Sequence, residues 1–421
     1  MRGKISEEKL FTGNFILLIL GQISSLFGNY ILRLALSMYV LEVTGSAALF
    51  AGILSAAVIP SILLSPFGGI LADRADRRNV MVALDFLTGV SVLCAAVMLH
   101  KENAAGVISA LLMVLSVLGA FETPTVQACI PSMLTGDNII RGNAAVNQAA
   151  SISYLTAPVL GGLFYGAVGL KPVMYASVGC FFATAALECF IRLKPREQVP
   201  LCGDGKGGIL SVVKNDFLAS VRFLLKEPSG ILKMLALAAI SRFFVMGVTL
   251  VGLPFIIREV LGLSAGYYGA AESALAVATI LGSAAAGMLT GKLGKEKLYL
   301  VLGAMGICMV PAGAVFFLPV GTAVRYGVNV AAFGGMQIAV SIFSIFAVSM
   351  IQQNTPGHLI GKVMAYTSTI TMCAQPVGQV VYGFLFDRFQ GAVFLVLVPT
   401  GVLVCMIGVF SAGYFRGCER S

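Results

Sequence analysis

Charged side chains inside long apolar stretches are the first residues in this chain that could do chemistry. Arg33, Glu122, Arg242 and Glu272 stand in such stretches, and so does Glu188. A carboxyl group there can bind and release a proton, or it can pair with a guanidinium. We take Arg33, Glu122, Arg242 and Glu272 as a candidate site for protons or a substrate. The alternative is structural, in which each Glu reaches polar surroundings at the end of its stretch or belongs to a fixed ion pair.

A short charged segment between two apolar stretches is the second candidate. It reads Gly-Gly-Ile-Leu-Ala-Asp-Arg-Ala-Asp-Arg-Arg over positions 68–78. Asp73 suits a helix N-terminus, where the helix dipole favours an anion. Arg77 and Arg78 suit helix C-terminal carbonyls or a carboxylate, and Asp85 is our candidate for the carboxylate. We predict a charge latch that holds one conformation and releases in another, although the arginines could also serve only as an anchor at a membrane surface.

The residue types that support metal, redox or nucleotide chemistry are sparse. The two histidines, His100 and His358, lie far apart, and none of the nine cysteines belongs to a Cys-x-x-Cys pair. No Gly-x-x-x-x-Gly-Lys-Ser/Thr loop occurs, so ATP binding has no support. A clustered Asp, Glu, His and Ser constellation of the kind that enzymes use is also missing. We therefore predict no cofactor, no metal site and no enzyme activity.

The composition indicates which elements position these residues. Of the 421 residues, 58% are hydrophobic and 11% are charged, and the mean hydropathy is +0.93. A soluble domain carries about a quarter charged residues, so this chain has too few charges to face water on all sides. The net charge is +9, but the basic residues are scattered over the short gaps between apolar stretches and form no patch for nucleic acid. We predict an all-α membrane protein whose partner is the lipid bilayer.

Twelve stretches are long and apolar enough to cross a bilayer, since a helical span needs about 20 apolar residues. They lie at about 14–41, 47–71, 80–100, 105–129, 142–168, 172–192, 230–257, 267–291, 298–319, 325–350, 362–386 and 391–415. Most of the 28 Lys and Arg residues fall in alternate gaps, and the other gaps hold only Lys101, Lys171, Arg258, Arg325 and Arg388. Cytoplasmic loops carry the excess of positive charge. We therefore predict a multi-pass cell-membrane protein with both termini in the cytoplasm.

The longest polar stretch divides the chain into two halves. We predict six-helix bundles at 1–193 and 230–421, joined by a cytoplasmic loop at 194–229 whose second part forms an amphipathic helix. The halves resemble each other, because each has a Gln, a Pro and a basic–Gly pair followed by a Pro- and Gly-rich span ending in Tyr-Gly. Two similar halves with a substrate site between them are typical of transporters.

Two motifs resemble those of the Major Facilitator Superfamily. The segment at 68–78 is similar to that family's loop signature at Gly69, Leu71, Ala72, Asp73, Arg74, Arg77 and Arg78. The fifth span contains Ala-Pro-Val-Leu-Gly-Gly, which resembles the Gly-Pro-x-x-Gly-Gly element of drug–proton antiporters at Pro158, Gly161 and Gly162. Other segments, among them Gly21-Gln22-x-x-Ser25 and Phe121-x-x-Pro124, resemble the macrolide-efflux-like group of twelve-span exporters. The resemblance covers nearly the whole chain.

This resemblance implies two pseudo-symmetric six-helix bundles that work by alternating access. It implies export of a small, amphipathic or drug-like compound, driven by protons. We also expect the protein to work as a monomer. Since the first and fourth spans are neighbours in that fold, we expect Arg33 to pair with Glu122, and more loosely Arg242 with Glu272. The fifth-span element implies a kinked, close-packed helix that seals one side.

Three other functions remain open at this point. The same fold could serve a facilitator or importer of a metabolite or lipid-like solute, since one fold hosts many cargoes. The chain could be a receptor or structural membrane protein. It could also be a membrane-embedded enzyme, against which the residue types already weigh.

Overall fold

The computed structural model describes residues 11–135, 137–193, 230–289, 297–353 and 360–417. The long elements in these ranges are helices, and none of the described residues forms a strand. The first six are α1 (Gly13–Thr44), α2 (Ala47–Arg74), α3 (Arg77–Met98), α4 (Ala104–Met133), α5 (Asp137–Val168) and α6 (Leu170–Cys189).

Six further helices follow the segment 194–229. The first of them, α7, begins as Gly230–Gly247 and runs to Val260 through π-helical turns at Val248–Gly252 and Ile256–Val260. The others are α8 (Ala265–Leu289), α9 (Leu298–Ala314), α10 (Thr322–Gln353), α11 (Ile360–Arg388) and α12 (Phe394–Gly417).

The prediction of an all-α membrane protein with twelve long helices is confirmed. Eleven of the described helices are long and apolar enough to span a bilayer. The twelfth, α11, has 29 residues, but Gln375, Pro376 and Gln379 make its middle more polar. Large apolar side chains lie exposed on many helices, with Met288 72% and Phe410 82% exposed. Such surfaces are stable only against lipid or protein.

Local sequence explains where the helices begin and end. Thr12 caps α1, because its hydroxyl accepts a hydrogen bond from the Phe15 backbone N–H at 3.3 Å. Gly45 ends α1 in the left-handed region at φ 59°, which a glycine adopts without steric cost. Asp76 caps α3 by accepting from the Asn79 backbone N–H at 3.2 Å. The short breaks between helices therefore follow from capping residues that the sequence supplies.

The chain forms two compact units that are not contiguous in sequence. Unit 1 contains α1, α2 after Ser55, α3 to α6, and α8 up to Ser273. Unit 2 contains the start of α2, then α7, the rest of α8, and α9 to α12. The boundaries predicted from sequence, 1–193, 194–229 and 230–421, stay a prediction, and the amphipathic helix within 194–229 lies outside the described residues.

In unit 1, α1 packs against α5 and α6, while α3 packs against α4 and α6. Small residues on α1 let α6 approach, because a Cβ on Gly28 would lie 3.0 Å from the Cys180 Cβ. Polar bonds add to this contact, since Thr184 Oγ1 donates to the Gly21 carbonyl at 3.2 Å. An apolar cluster that includes Phe15, Leu18, Met81, Val126, Cys129 and Ile130 fills the end where α1 begins.

Candidate functional site

Arg33 lies in the second half of α1, and its side chain is exposed, although it stands inside a membrane-spanning helix. Its Nε donates to Asn29 Oδ1 at 2.6 Å, one turn earlier on the same helix. Glu122 of α4 is half-buried and lies within electrostatic range of Arg33, but the described contacts show no direct ion pair between them. The structure thus brings the predicted pair into one unit without joining the two charges.

Ser25 connects Glu122 to a second carboxyl group. Its Oγ donates to Asp85 Oδ1 on α3 at 2.8 Å and lies 3.3 Å from Glu122 Oε1. A hydroxyl has one hydrogen, so Ser25 donates fully to only one of these carboxyls at a time. Both Ser25 and Asp85 are buried, at 2% and 1% exposure, which excludes bulk water as a replacement donor.

A third carboxyl group, that of Glu188, lies against Asp85. Glu188 is the second-last residue of α6 and is 1% exposed. Its side chain neighbours the Asp85 carboxyl, and its two oxygens have no hydrogen-bond partner among the described residues. We call Asp85, Glu122, Glu188 and Ser25 the carboxyl cluster. It joins α1, α3, α4 and α6 within unit 1.

The arginines of the charged segment at 68–78 bond to helix ends, whereas Asp85 was our candidate for their carboxylate partner. Arg77 Nη1 donates to the Ala128 carbonyl at 2.7 Å and to Ser132 Oγ, both in the last turns of α4. Arg78 Nη2 donates to the Cys189 carbonyl at the end of α6. These are the helix C-terminal carbonyls that the sequence offered as one option, whereas Asp85 bonds to Ser25. Gly69, Asp73 and Arg74 lie in the last turns of α2, and their side chains are outside the described part.

Glu272 lies in the part of α8 that belongs to unit 1. It accepts from Tyr268 Oη at 2.7 Å and lies within electrostatic range of Tyr154 on α5. The Tyr154 ring meets the Tyr30 ring of α1 edge-on at 5.5 Å. Arg242 belongs to unit 2, so its pairing with Glu272 stays a prediction. Within its own unit, Glu272 has Tyr268 and Tyr154 around it.

The fifth-span element lies where other backbones come closest to α5. A Cβ on Gly161 would be 3.2 Å from the Ile31 Cα of α1, and one on Gly162 would be 2.6 Å from the Ala265 carbonyl oxygen. The Pro158 carbonyl faces Gly269 in the same way. These glycines are therefore required for the approach of α1 and α8 to α5.

Asp387, at the end of α11, is a polar group that the sequence reasoning missed. Its carboxylate accepts from Ser46 Oγ at 2.6 Å and from the Ala47 and Ala48 backbone N–H groups at 2.5 and 3.0 Å. It therefore caps the N-terminus of α2 from a distant helix, within unit 2. The sequence signal was weak, because an Asp near a helix end is common and its partner lies more than 300 residues away.

No group of three His, Cys, Asp or Glu side chains in the described residues has the arrangement to hold a metal ion. The carboxyl cluster therefore lacks a metal-binding geometry. What it can do chemically is hold hydrogen ions, since a protonated carboxyl gains an O–H donor for a neighbouring carboxylate.

Comparisons with known proteins agree with this architecture. The family model of the Major Facilitator Superfamily matches residues 18–379. Macrolide efflux protein A of Streptococcus pyogenes is 23% identical over 92% of this chain and 92% of its own length. Multidrug efflux pump Tap of Mycolicibacterium fortuitum is 24% identical over 94% of this chain and 95% of its own.

Solved structures show the same fold. A bacterial homologue of the iron transporter ferroportin, in an inward-facing state, has a TM-score of 0.69 at 16% identity and covers 95% of this chain and 98% of its own. A D-xylose–proton symporter has a TM-score of 0.67 at 14% identity and covers 94% of this chain and 96% of its own. At such identities the likeness concerns the fold alone.

Proposed function

Because this chain belongs to the Major Facilitator Superfamily and is a membrane transporter, we propose that it exports a small amphipathic compound in exchange for protons. The two processes are coupled by alternating access between the cytoplasm and the outside. The protein is a multi-pass protein of the cell membrane, and in our proposal both termini face the cytoplasm and the monomer is the working unit.

The observation that carries the proposal is the position of Glu122. It lies 11 residues before the end of α4, within electrostatic range of Arg33 and within reach of the Ser25 hydroxyl. An ionised Glu122 is favoured by the nearby guanidinium, while a protonated one can donate to a neighbouring carboxylate. A carboxyl group with two such surroundings can take up a proton in one state and release it in another.

The cargo class rests on the relatives and on the surface beside Arg33. Two relatives are named for macrolide and multidrug efflux. In unit 1, the aromatic rings of Tyr30 and Tyr154 meet close to Arg33 and Glu272, so apolar faces and polar groups alternate there. An amphipathic molecule matches both kinds of surface.

Everted membrane vesicles test the proposal, because their interior corresponds to the outside of the cell. Vesicles that contain the protein should accumulate a labelled macrolide or an amphipathic dye when their interior is acid. Accumulation should cease when a protonophore collapses the gradient. Loading that is equal with and without the gradient would instead identify a facilitator, and loading only with an alkaline interior would identify an importer.

The role of Glu122 is tested by Glu122→Gln, which keeps the shape but removes the titrating group. We expect accumulation driven by the pH gradient to fall at least tenfold, while exchange of labelled for unlabelled cargo persists. Glu102→Gln is the matched control, since Glu102 is exposed in the short turn Lys101–Asn103 before α4. Coupling that survives Glu122→Gln unchanged would remove Glu122 from the proposal.

A further inference from the structure

The carboxyl cluster contains more hydrogen-bond acceptors than donors. Asp85 Oδ2 and both oxygens of Glu188 are buried and have no partner among the described residues. The Ser25 hydroxyl contributes one hydrogen, and Asp85 Oδ1 and Glu122 Oε1 compete for it. Native proteins rarely leave such groups unpaired, because each costs free energy when it is removed from water. The cluster therefore needs at least one further hydrogen.

A buried amide on α1 supplies two hydrogens at most, which is fewer than the three orphaned oxygens of Asp85 and Glu188. Gln22 is 6% exposed, and its Nε2 also lacks a partner among the described residues. It lies one turn before Ser25, so the two side chains share a face of α1. It also follows Gly21, whose Cβ position would lie 3.9 Å from Glu188 Oε1. Polar atoms from α1, α3 and α6 thus surround one small region without completing its hydrogen bonds.

We infer that Asp85 and Glu188 share one exchangeable proton in this region, at a site separate from the Arg33–Glu122 approach. A proton on either carboxyl provides an O–H that donates to the other, so one hydrogen satisfies two of the orphaned oxygens. A metal ion is disfavoured, because the described residues offer no suitable three-ligand group. The inference deepens the proposed proton coupling and depends on it only for the use that the transporter makes of this proton.

The charges around the pair come from four helices. Glu122 on α4 and Ser25 on α1 are its nearest polar neighbours, and Arg33 on α1 acts on Glu122. The Cys189 thiol on α6 lies within electrostatic range of Glu188. Arg77 and Arg78, at the start of α3, are bonded to the Ala128 carbonyl of α4 and the Cys189 carbonyl of α6. The described contacts thus provide no direct counter-charge to the Asp85–Glu188 pair.

The residue after Glu188 lines a cavity that can hold water. This cavity of about 430 Å³ is lined by Asp76, Arg78 and the residues from Cys189 to Leu193. Its wall includes Cys189, the residue after Glu188, whose carbonyl accepts from Arg78 Nη2. This cavity is large enough for several water molecules. In our inference, this water is the source of the proton that reaches Glu188 at the end of α6.

Infrared titration of the purified protein in lipid nanodiscs tests the inference without a cargo. Difference spectra between acid and alkaline buffer report protonated carboxyl groups through their C=O band. This band is assigned by its shift when the protein is exchanged into heavy water. The variants are Asp85→Asn, Glu188→Gln and the combination of both, with Glu102→Gln as control. Each introduced amide can donate to the remaining carboxylate, which then no longer needs the proton.

We expect each single variant to lose one carboxyl equivalent of the band and the double variant to lose no more than either single one. The control should keep the full band. An unchanged band in both single variants would overturn the inference, as would a double variant that loses twice as much, which indicates two independent protons.

The vesicle experiment separates this inference from the proposed function. A shared proton in the infrared titration, together with vesicles that load without a gradient, would leave the inference standing and reject proton-driven export. Gradient-driven loading together with variants that keep the full band would support proton-driven export and reject the shared proton. If Asp85→Asn does not yield folded protein, Glu188→Gln alone decides between the outcomes. Loss of the band in a Glu188→Gln protein with an unchanged melting temperature identifies Glu188 as one partner of the shared proton. A full band in this variant rejects the inference.

Discussion

Ser25 shows how much can depend on a single hydrogen. Its hydroxyl lies within 2.8 and 3.3 Å of carboxyl oxygens on two different helices. A buried carboxylate that accepts no hydrogen bond is costly, so the orientation of this hydroxyl is coupled to where protons are held. A proton that arrives at Asp85 would free Ser25 to donate to Glu122. The serine can thereby link the two carboxyl groups of neighbouring helices.

We predict that Ser25→Ala destabilises the protein by about 1–3 kcal/mol, because it removes the hydroxyl donor from a buried carboxylate. The measurement is thermal or denaturant unfolding of the purified protein in detergent. Ser91→Ala is the matched control, since the Ser91 hydroxyl donates an exposed bond to the Leu87 carbonyl of its own helix at 2.7 Å. Equal losses in the two variants would contradict a special role for Ser25.

Single residues were only partly predictable from sequence. Glu122 and Glu188 were recognised, because a charge in an apolar stretch is visible without a structure. The bond of Asp85 to Ser25 was not predicted, because it depends on the rotation of α1 and α3 about their axes. Arg77 and Arg78 were nearer in sequence and had the opposite charge, so they were the natural expectation for Asp85. The structure uses them to hold the ends of α4 and α6 instead.

At the scale of elements, the helices of both units are held by caps from other helices. Arg77 and Arg78 bind C-terminal carbonyls of α4 and α6, where a cation complements the helix dipole. Asp387 binds the N-terminus of α2 with the opposite charge. Such bonds join helices that need not follow each other in the chain. They can therefore transmit a movement of one helix to another.

We predict that Asp387→Ala destabilises the protein by about 1–2 kcal/mol, as expected for the loss of an N-cap with a charge that complements the dipole. Asp387→Asn should cost less, because it keeps one acceptor oxygen. Arg388→Gln is the control, since it changes the adjacent charge and leaves the cap in place. Melting of the purified variants gives the order, and an Asn variant as unstable as the Ala variant would show that the negative charge is the larger contribution.

At the scale of the whole chain, the number and type of helices follow from sequence, but the surfaces through which the helices pack do not. Apolar length predicts twelve spans, since hydrocarbon leaves a backbone few alternatives to the helix. The division of α2 and α8 between the units could not be predicted, because it depends on which helix surfaces fit together. Gly161 and Gly162 were recognised as a packing element, yet only the structure shows that α1 and the start of α8 lie against them.

Two glycines of α5 test whether the start of α8 must pack closely against α5. In Gly162→Ala, the new methyl would lie 2.6 Å from the Ala265 carbonyl oxygen, so α8 must move away from α5. In Gly166→Ala, nothing lies within 4 Å of the new methyl. A Gly-to-Ala change in an open helix position stabilises by about 0.5–1 kcal/mol, so the two variants should shift the melting temperature in opposite directions. Gly162→Ala should also lower gradient-driven loading of everted vesicles, whereas Gly166→Ala should not. A Gly162→Ala protein as stable and active as Gly166→Ala would mean that α5 and the first residues of α8 do not need this close approach.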